Sequence, residues 1–149
     1  MKDKVNEIQI SYKDRISISK SPSIKCSSDA AELLFEYWDK NTIALYENFK
    51  VVLLNNSNGV KGIYELSKGG ITGTLVDIRI LFATVLKSLT VGIILSHNHP
   101  SGKLQASNAD IQLTKKIQKA AQFFDIAVLD HVIIAPNGSF YSFADNGIL

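Results

Sequence analysis

Two of the chain's three histidines stand two residues apart in Ser96-His97-Asn98-His99-Pro100-Ser101-Gly102, and Asp110 follows 11 residues after His99. Two imidazole nitrogens and a carboxylate oxygen form a common catalytic zinc set, with a fourth position kept for water. His97 and His99 continue the parity of Val91, Ile93 and Leu95. Residues two apart on extended backbone point to the same side, so a strand running past Ser96 would present both imidazoles on one face. Pro100 cannot extend a central strand, so the chain leaves the sheet there. Asp110 falls in the first turn of the next expected helix, which could return over the strand end and supply a third ligand. The same residues also have plainer roles. Ser107-x-x-Asp110 resembles a capping box with Asp in place of Glu or Gln, and the helix dipole favours an acid at that position. Spacing alone leaves both readings open.

The elements that must position these residues can be read from periodicity. The first 25 residues alternate loosely through Val5, Ile8, Ile10 and Tyr12, then Ile16 and Ile18, which predicts one or two edge strands ending near Ser21-Pro22. Ser27 or Ser28 could cap a helix starting near Asp29, with Ala30, Leu33, Leu34, Tyr37 and Trp38 on one apolar stripe. Phe49 to Leu54 reads as a central strand, Asn55 to Gly59 as a turn and Val60 to Leu66 as the returning strand. A helix from about Val76 to Leu89 precedes a buried strand from Val91 to Ser96. Ser107 opens a helix to about Phe124, followed by strands over Ile126 to Ala135 and Ser139 to Phe143. This order predicts a single α/β (α+β) domain over 1–149, a mixed central sheet with helices on both faces and residues 1–27 as an N-terminal strand extension.

Composition narrows the function classes. The 149 residues are 46% apolar and 20% charged, an ordinary balance for one globular domain. The single cysteine, Cys26, sits near a helix start with no paired motif and reads as incidental; one cysteine also excludes the C-x-x-C signature of zinc nucleobase deaminases. The letters HNH at 97–99 lack the longer spread of an HNH nuclease motif. Sixteen basic against 14 acidic residues give a net charge of +2, without the concentrated basic face of a dedicated nucleic-acid binder. Lys115, Lys116 and Lys119 read as a solvated helix face. No apolar run reaches signal-peptide or membrane-spanning length, so the expected location is the cytoplasm.

His97-x-His99-Pro100, six residues, then Ser107-x-x-Asp110 resembles the H-x-H-P…S-x-x-D signature of JAB/MPN-plus (JAMM) metalloproteases. More narrowly, HNHPSG, LDHVII around Asp130-His131, YSFADNG and SKGGITGT with Asp77-Ile78-Arg79 are similar to RadC proteins, over about two thirds of the chain from Leu45 onward. The resemblance implies a JAB/MPN-like fold with Zn2+ held by His97, His99 and Asp110. It implies an upstream glutamate as general base; Glu47 matches best, and Glu65 is its competitor. It implies that Ser107 positions substrate or stabilises the oxyanion. The implied activity is zinc-dependent hydrolysis of peptide or isopeptide bonds, with a peptide or protein substrate such as a ubiquitin-like or small-protein tail. The alternative is a RadC-type DNA-repair accessory factor or metal-dependent nuclease. Near-neutral charge counts against that alternative, as does the absence of room in this sequence for the helix-hairpin-helix region common in RadC proteins. A catalytically silent interaction module is a third reading, against which the intact ligand set argues. His131 reads as a hydrogen-bonded core histidine, with support of the site as the competing role, and Arg79 as a surface helix residue.

Overall fold

A computed structural model describes residues 5–9, 11–13, 16–17, 20–70 and 75–149. Five strands form one mixed sheet in the order β2-β1-β3-β4-β5. They are β1 (Asn48–Leu54), β2 (Val60–Lys68), β3 (Gly92–Asn98), β4 (Ala127–Ile134) and β5 (Phe140–Ser142). β1 runs antiparallel to both β2 and β3, β4 antiparallel to β5, and β3 parallel to β4. Parallel neighbours need a crossover, and α3 (Asn108–Gln122) supplies it. Two further helices, α1 (Ser27–Tyr37) and α2 (Ile78–Lys87), complete the described elements. This is the mixed α+β domain that the sequence leads one to expect.

Alternation along the strands divides the core into two layers. Val52, Leu54, Ile94, Val132 and Ile134 face α1, packing on Ala30, Leu34 and Trp38. Phe49, Val51, Leu53, Ile93 and Leu95 face the other way, onto Leu81, Phe82 and Val85 of α2 and Ile117 and Ala121 of α3. Helices therefore cover both faces, and every residue of β3 is buried.

Several local expectations need correction. Among the described residues of 1–27 there is no strand, only an isolated bridge from Ser23 to Gly59. The alternation at Val5 and Ile8 buries neither residue, so no apolar face holds that segment to the sheet. Ile10 and Ile18 lie outside the described residues. α1 begins at Ser27, and its N-cap is Cys26, which makes no side-chain cap. Ser27 instead donates to Asp145, while the Lys25 amide donates to Asp29. Tyr37 is exposed because the stripe ends there, whereas Trp38 is buried. Leu89 lies past the end of α2 at φ 52° and is exposed. Phe124 likewise follows α3 and is exposed.

Candidate metal centre

β3 continues as extended backbone through Asn98, two residues beyond the expected end. His97 therefore keeps the parity of Ile93 and Leu95 and points toward the layer of α2 and α3. β1 holds that end of β3 in register, Phe49 opposite His97. The Phe49 ring lies parallel to the His97 imidazole, 2° between planes and 6.1 Å between centroids. The chain then turns through Pro100 and Gly102 (φ 81°), where glycine tolerates the left-handed conformation. Helix resumes at the Ser107 cap of α3. Ser107 Oγ accepts from the Asp110 amide at 3.0 Å, and an Asp110 carboxylate oxygen accepts from the Ser107 amide at 2.9 Å. This reciprocal box is the plainer role foreseen for both residues, and it also aims the carboxylate at the end of β3.

One ligand atom each from Glu47, His97, His99 and Asp110 fall within 4.8 Å of one another. His97 Nε2 and His99 Nε2 are 2.9 Å apart. Asp110 oxygens lie 3.4 Å from His97 Nε2 and 3.7 Å from His99 Nε2. Bonds of about 2.1 Å in a tetrahedral zinc site put ligand atoms roughly 3.4 Å from each other. The separations among His97, His99 and Asp110 bracket that value, the two Asp110 distances being to different oxygens of its carboxylate. Glu47 Oε1 stands farther out, 3.9 Å from His97 Nε2.

The donor chemistry fits a cation. His99 Nδ1 lies 2.6 Å from the Lys103 carbonyl, which can only accept, so Nδ1 carries the proton and neutral His99 turns a bare Nε2 inward. Two imidazole nitrogens and two largely buried carboxylates thus converge on one point. Without a metal, protons must take its place. The Asp110 carboxylate accordingly holds the His99 pKa above its ordinary value, against partial burial. Burial pushes Asp110 up, but His97 and His99 outweigh it and hold its carboxyl far below the usual carboxylate range.

The segment carrying Glu47 is pinned to β3 by Asn98, which lies between the two histidines. Asn98 Nδ2 donates to the carbonyls of Ile43 (2.8 Å) and Tyr46 (2.7 Å), and its Oδ1 accepts from the Asn48 amide (2.7 Å). On its other side Glu47 exchanges backbone hydrogen bonds with Gly69 and Gly70.

The family model described as RadC-like JAB domain matches residues 24–148. The chain belongs to that family. The UPF0758 protein of Flavobacterium johnsoniae is 52% identical over 103 residues, covering 69% of this chain and 44% of that protein. The UPF0758 protein of Porphyromonas gingivalis is 43% identical over 103 residues, 69% of this chain and 45% of that protein. A UPF0758 protein of Desulfitobacterium hafniense is 38% identical over 131 residues, 86% of this chain and 55% of that protein. The chain spans about half the length of these curated relatives.

In this RadC-like JAB domain the two candidate glutamates have different surroundings. Glu65 stands opposite Lys50 in the β1–β2 register and pairs with Lys50 at 3.5 Å and Lys68 at 3.8 Å. Lys50 lies over the Trp38 ring, on the α1 face of the sheet. Glu65 is therefore on the face away from the histidines, and Glu47 is beside them. Arg79 is exposed and forms an ion pair with Asp77, the N-cap of α2. The ITGT residues 71–74 of the RadC-like stretch lie outside the described residues. Of the site's neighbours, the sequence reading favoured a core role for His131 and missed Thr114. Both are buried; His131 Nε2 lies 2.7 Å from His97 Nδ1, and Thr114 Oγ1 lies 2.6 Å from His131 Nδ1. Burial drives the His131 pKa well below its ordinary value, so the ring is neutral. No helix among the described residues is long and apolar enough to cross a membrane.

Proposed function

We propose that this RadC-like JAB domain is a zinc-dependent hydrolase of peptide or isopeptide bonds that uses Glu47 as general base. The observation that carries the reading is the convergence of Glu47, His97, His99 and Asp110 at one end of β3. Two imidazoles and a carboxylate suit zinc, and the wider spacing of Glu47 suits a group beside the ion better than a ligand on it. A divalent ion held by His97 Nε2, His99 Nε2 and one Asp110 oxygen would supply Lewis acidity, lowering the pKa of water toward about 7 and polarising a carbonyl oxygen.

The chain's own residues account for the remaining steps. Glu47 is held from both sides of its backbone, by Asn98 through Tyr46 and Asn48 and by Gly69 and Gly70, which keeps its side chain beside the histidines. It takes a proton from water and passes it to the leaving amine. The Ser107 cap uses a lone pair of the hydroxyl, leaving its proton to donate to the carbonyl oxygen as negative charge develops there. The side chains of Glu47 and Asp110 are each only 17% exposed, so charge at the centre is screened little by water.

Metal content and turnover test this separately. The parent protein should hold about one zinc per chain and His97→Ala/His99→Ala almost none. Glu47→Gln should keep the zinc and lose about 100-fold or more of whatever peptide or isopeptide hydrolysis a substrate screen reveals. Equal metal content in parent and double variant rejects the centre. Full activity in Glu47→Gln rejects Glu47 as the base. Zinc-dependent cleavage of DNA but of no peptide or isopeptide would transfer the domain to the nuclease reading.

A further inference from the structure

Beyond the candidate ligands, a buried row of hydrogen bonds runs from His97 to His131 to Thr114 and ends on the backbone carbonyl of Asp110. The distances are 2.7, 2.6 and 2.7 Å. The last member fixes the direction of every proton in the row. A carbonyl oxygen only accepts, so the Thr114 hydroxyl gives its single proton to Asp110. Thr114 Oγ1 is then available to His131 only as an acceptor, so His131 Nδ1 carries the proton. A neutral imidazole has one N–H, which leaves His131 Nε2 bare and makes it an acceptor for His97 Nδ1–H. In the neutral form that binds a metal, His97 is left with a bare Nε2, the atom that faces His99 and Asp110.

We propose that His131 and Thr114 are positioning residues: a one-way hydrogen-bond relay that fixes the His97 tautomer and ties the orientation of His97 to the helical turn carrying Asp110. Thr114 lies one turn after Asp110 on α3, so a shift of that turn moves one candidate ligand and the support of the other together. Among the described residues the packing gives His131 no second set of partners. Its ring stacks on Phe143 (4.4 Å, 21°) and meets Phe49 edge-on (5.5 Å), so each nitrogen has one polar neighbour. A metal-binding histidine commonly donates its second N–H to a carboxylate or carbonyl. Here a neutral imidazole receives it, which orients His97 without adding a third negative charge to a centre that already holds Glu47 and Asp110. The effect on metal affinity rests on the zinc reading above; the proton positions do not.

The test has two readouts. Long-range 15N–1H correlation spectra of the unmodified protein, metal-free and zinc-loaded, should show His131 protonated on Nδ1 in both states. An Nε2-protonated His131 would overturn the relay. Zinc affinity, measured by chelator competition, should weaken about 10- to 100-fold in Thr114→Val and His131→Phe. Thr114→Ser, which keeps the hydroxyl, should recover most of the loss. Parent-like affinity in Thr114→Val, or no recovery in Thr114→Ser, would reduce the two residues to packing. If the parent takes up no zinc, the metal reading fails on its own, and the His131 tautomer still decides the relay.

Discussion

Asn98 offers the sharpest test of how the fold places Glu47 beside the histidines. Its side chain satisfies three backbone groups, the Asn48 amide and the carbonyls of Ile43 and Tyr46, and it is fully buried. Asn98→Ala removes all three bonds and offers nothing in exchange. A buried polar group stripped of its partner costs about 1–3 kcal/mol. The contacts to Asn48 and Ile43 are buried and that to Tyr46 is partly buried, so the expected loss is about 3–4 kcal/mol, over 100-fold in the folding equilibrium. Asn98→Asp should lose nearly as much, because it keeps the acceptor for the Asn48 amide but sets a carboxylate oxygen against two carbonyls. Protonation would return one donor, so its deficit relative to the parent should shrink as the pH falls toward 4. Urea unfolding with linear extrapolation measures all three proteins. A loss below about 1 kcal/mol in Asn98→Ala, or equal behaviour of Asn98→Asp at pH 4 and pH 7, would show that the 43–48 segment finds other partners and that Asn98 does not anchor Glu47.

Two further perturbations follow from the same geometry. Ser107→Ala removes the cap of α3 and should lower stability by about 1 kcal/mol, seen as a reduced melting temperature, because the Asp110 amide loses its acceptor; an unchanged melting temperature would mean that the box contributes only geometry. The metal-free protein should be most stable near the unperturbed histidine pKa of about 6.5. Above it, the raised His99 pKa means that the folded state holds a proton the unfolded chain has released, so stability falls as pH rises through the folded value. Below it, the depressed pKa of buried His131 means that the unfolded chain binds a proton the folded state refuses, so stability falls as pH drops. Asp110, depressed in the fold, adds to the acid-side loss below about pH 4. Thermal melts of metal-free protein from pH 4 to 9 should trace this dome, and His99→Ala should flatten its alkaline limb; a limb unaltered by that substitution would refute the assignment.

What the sequence conveyed well was whatever depends on local periodicity. The alternation ending in His97 and His99 needed only a strand that outlived Ser96, and burial on both faces of β3 keeps it extended. Ser107 and Asp110 were legible twice over, as a cap and as a donor at the strand end, and the structure shows the capping geometry itself delivering the carboxylate. What could not be read was whatever depends on which strands lie side by side. Glu47 and Glu65 look alike along the chain; the β1–β2 register sets Glu65 against Lys50, on the face away from the histidines. His131 looked like a core residue because its contact with His97 exists only once β4 lies parallel to β3, with Leu95 opposite His131 and His97 opposite Ile133. The apolar alternation near the N-terminus misled for a related reason. A period of two predicts a strand only where a sheet face is there to bury it, and Val5 and Ile8 have none.

The topology also explains why the candidate centre is concentrated in one stretch of chain. A parallel pair with a helical crossover returns the start of the helix to the end of the first strand. The β3–α3–β4 unit therefore supplies His97, His99, Asp110, Thr114 and His131 from a single supersecondary unit. Glu47 alone comes from outside it, from the residue just before the antiparallel neighbour β1. A disturbance confined to the end of β2, where Gly69 and Gly70 bond the Glu47 backbone, should consequently displace the proposed base while sparing the candidate ligands. Disturbance of the first turn of α3 should disorder those ligands and, through Thr114, the relay behind them. Loss of hydrolysis and loss of metal are then separable along the chain, and a variant at the end of β2 that released its metal as readily as an α3 variant would contradict this division.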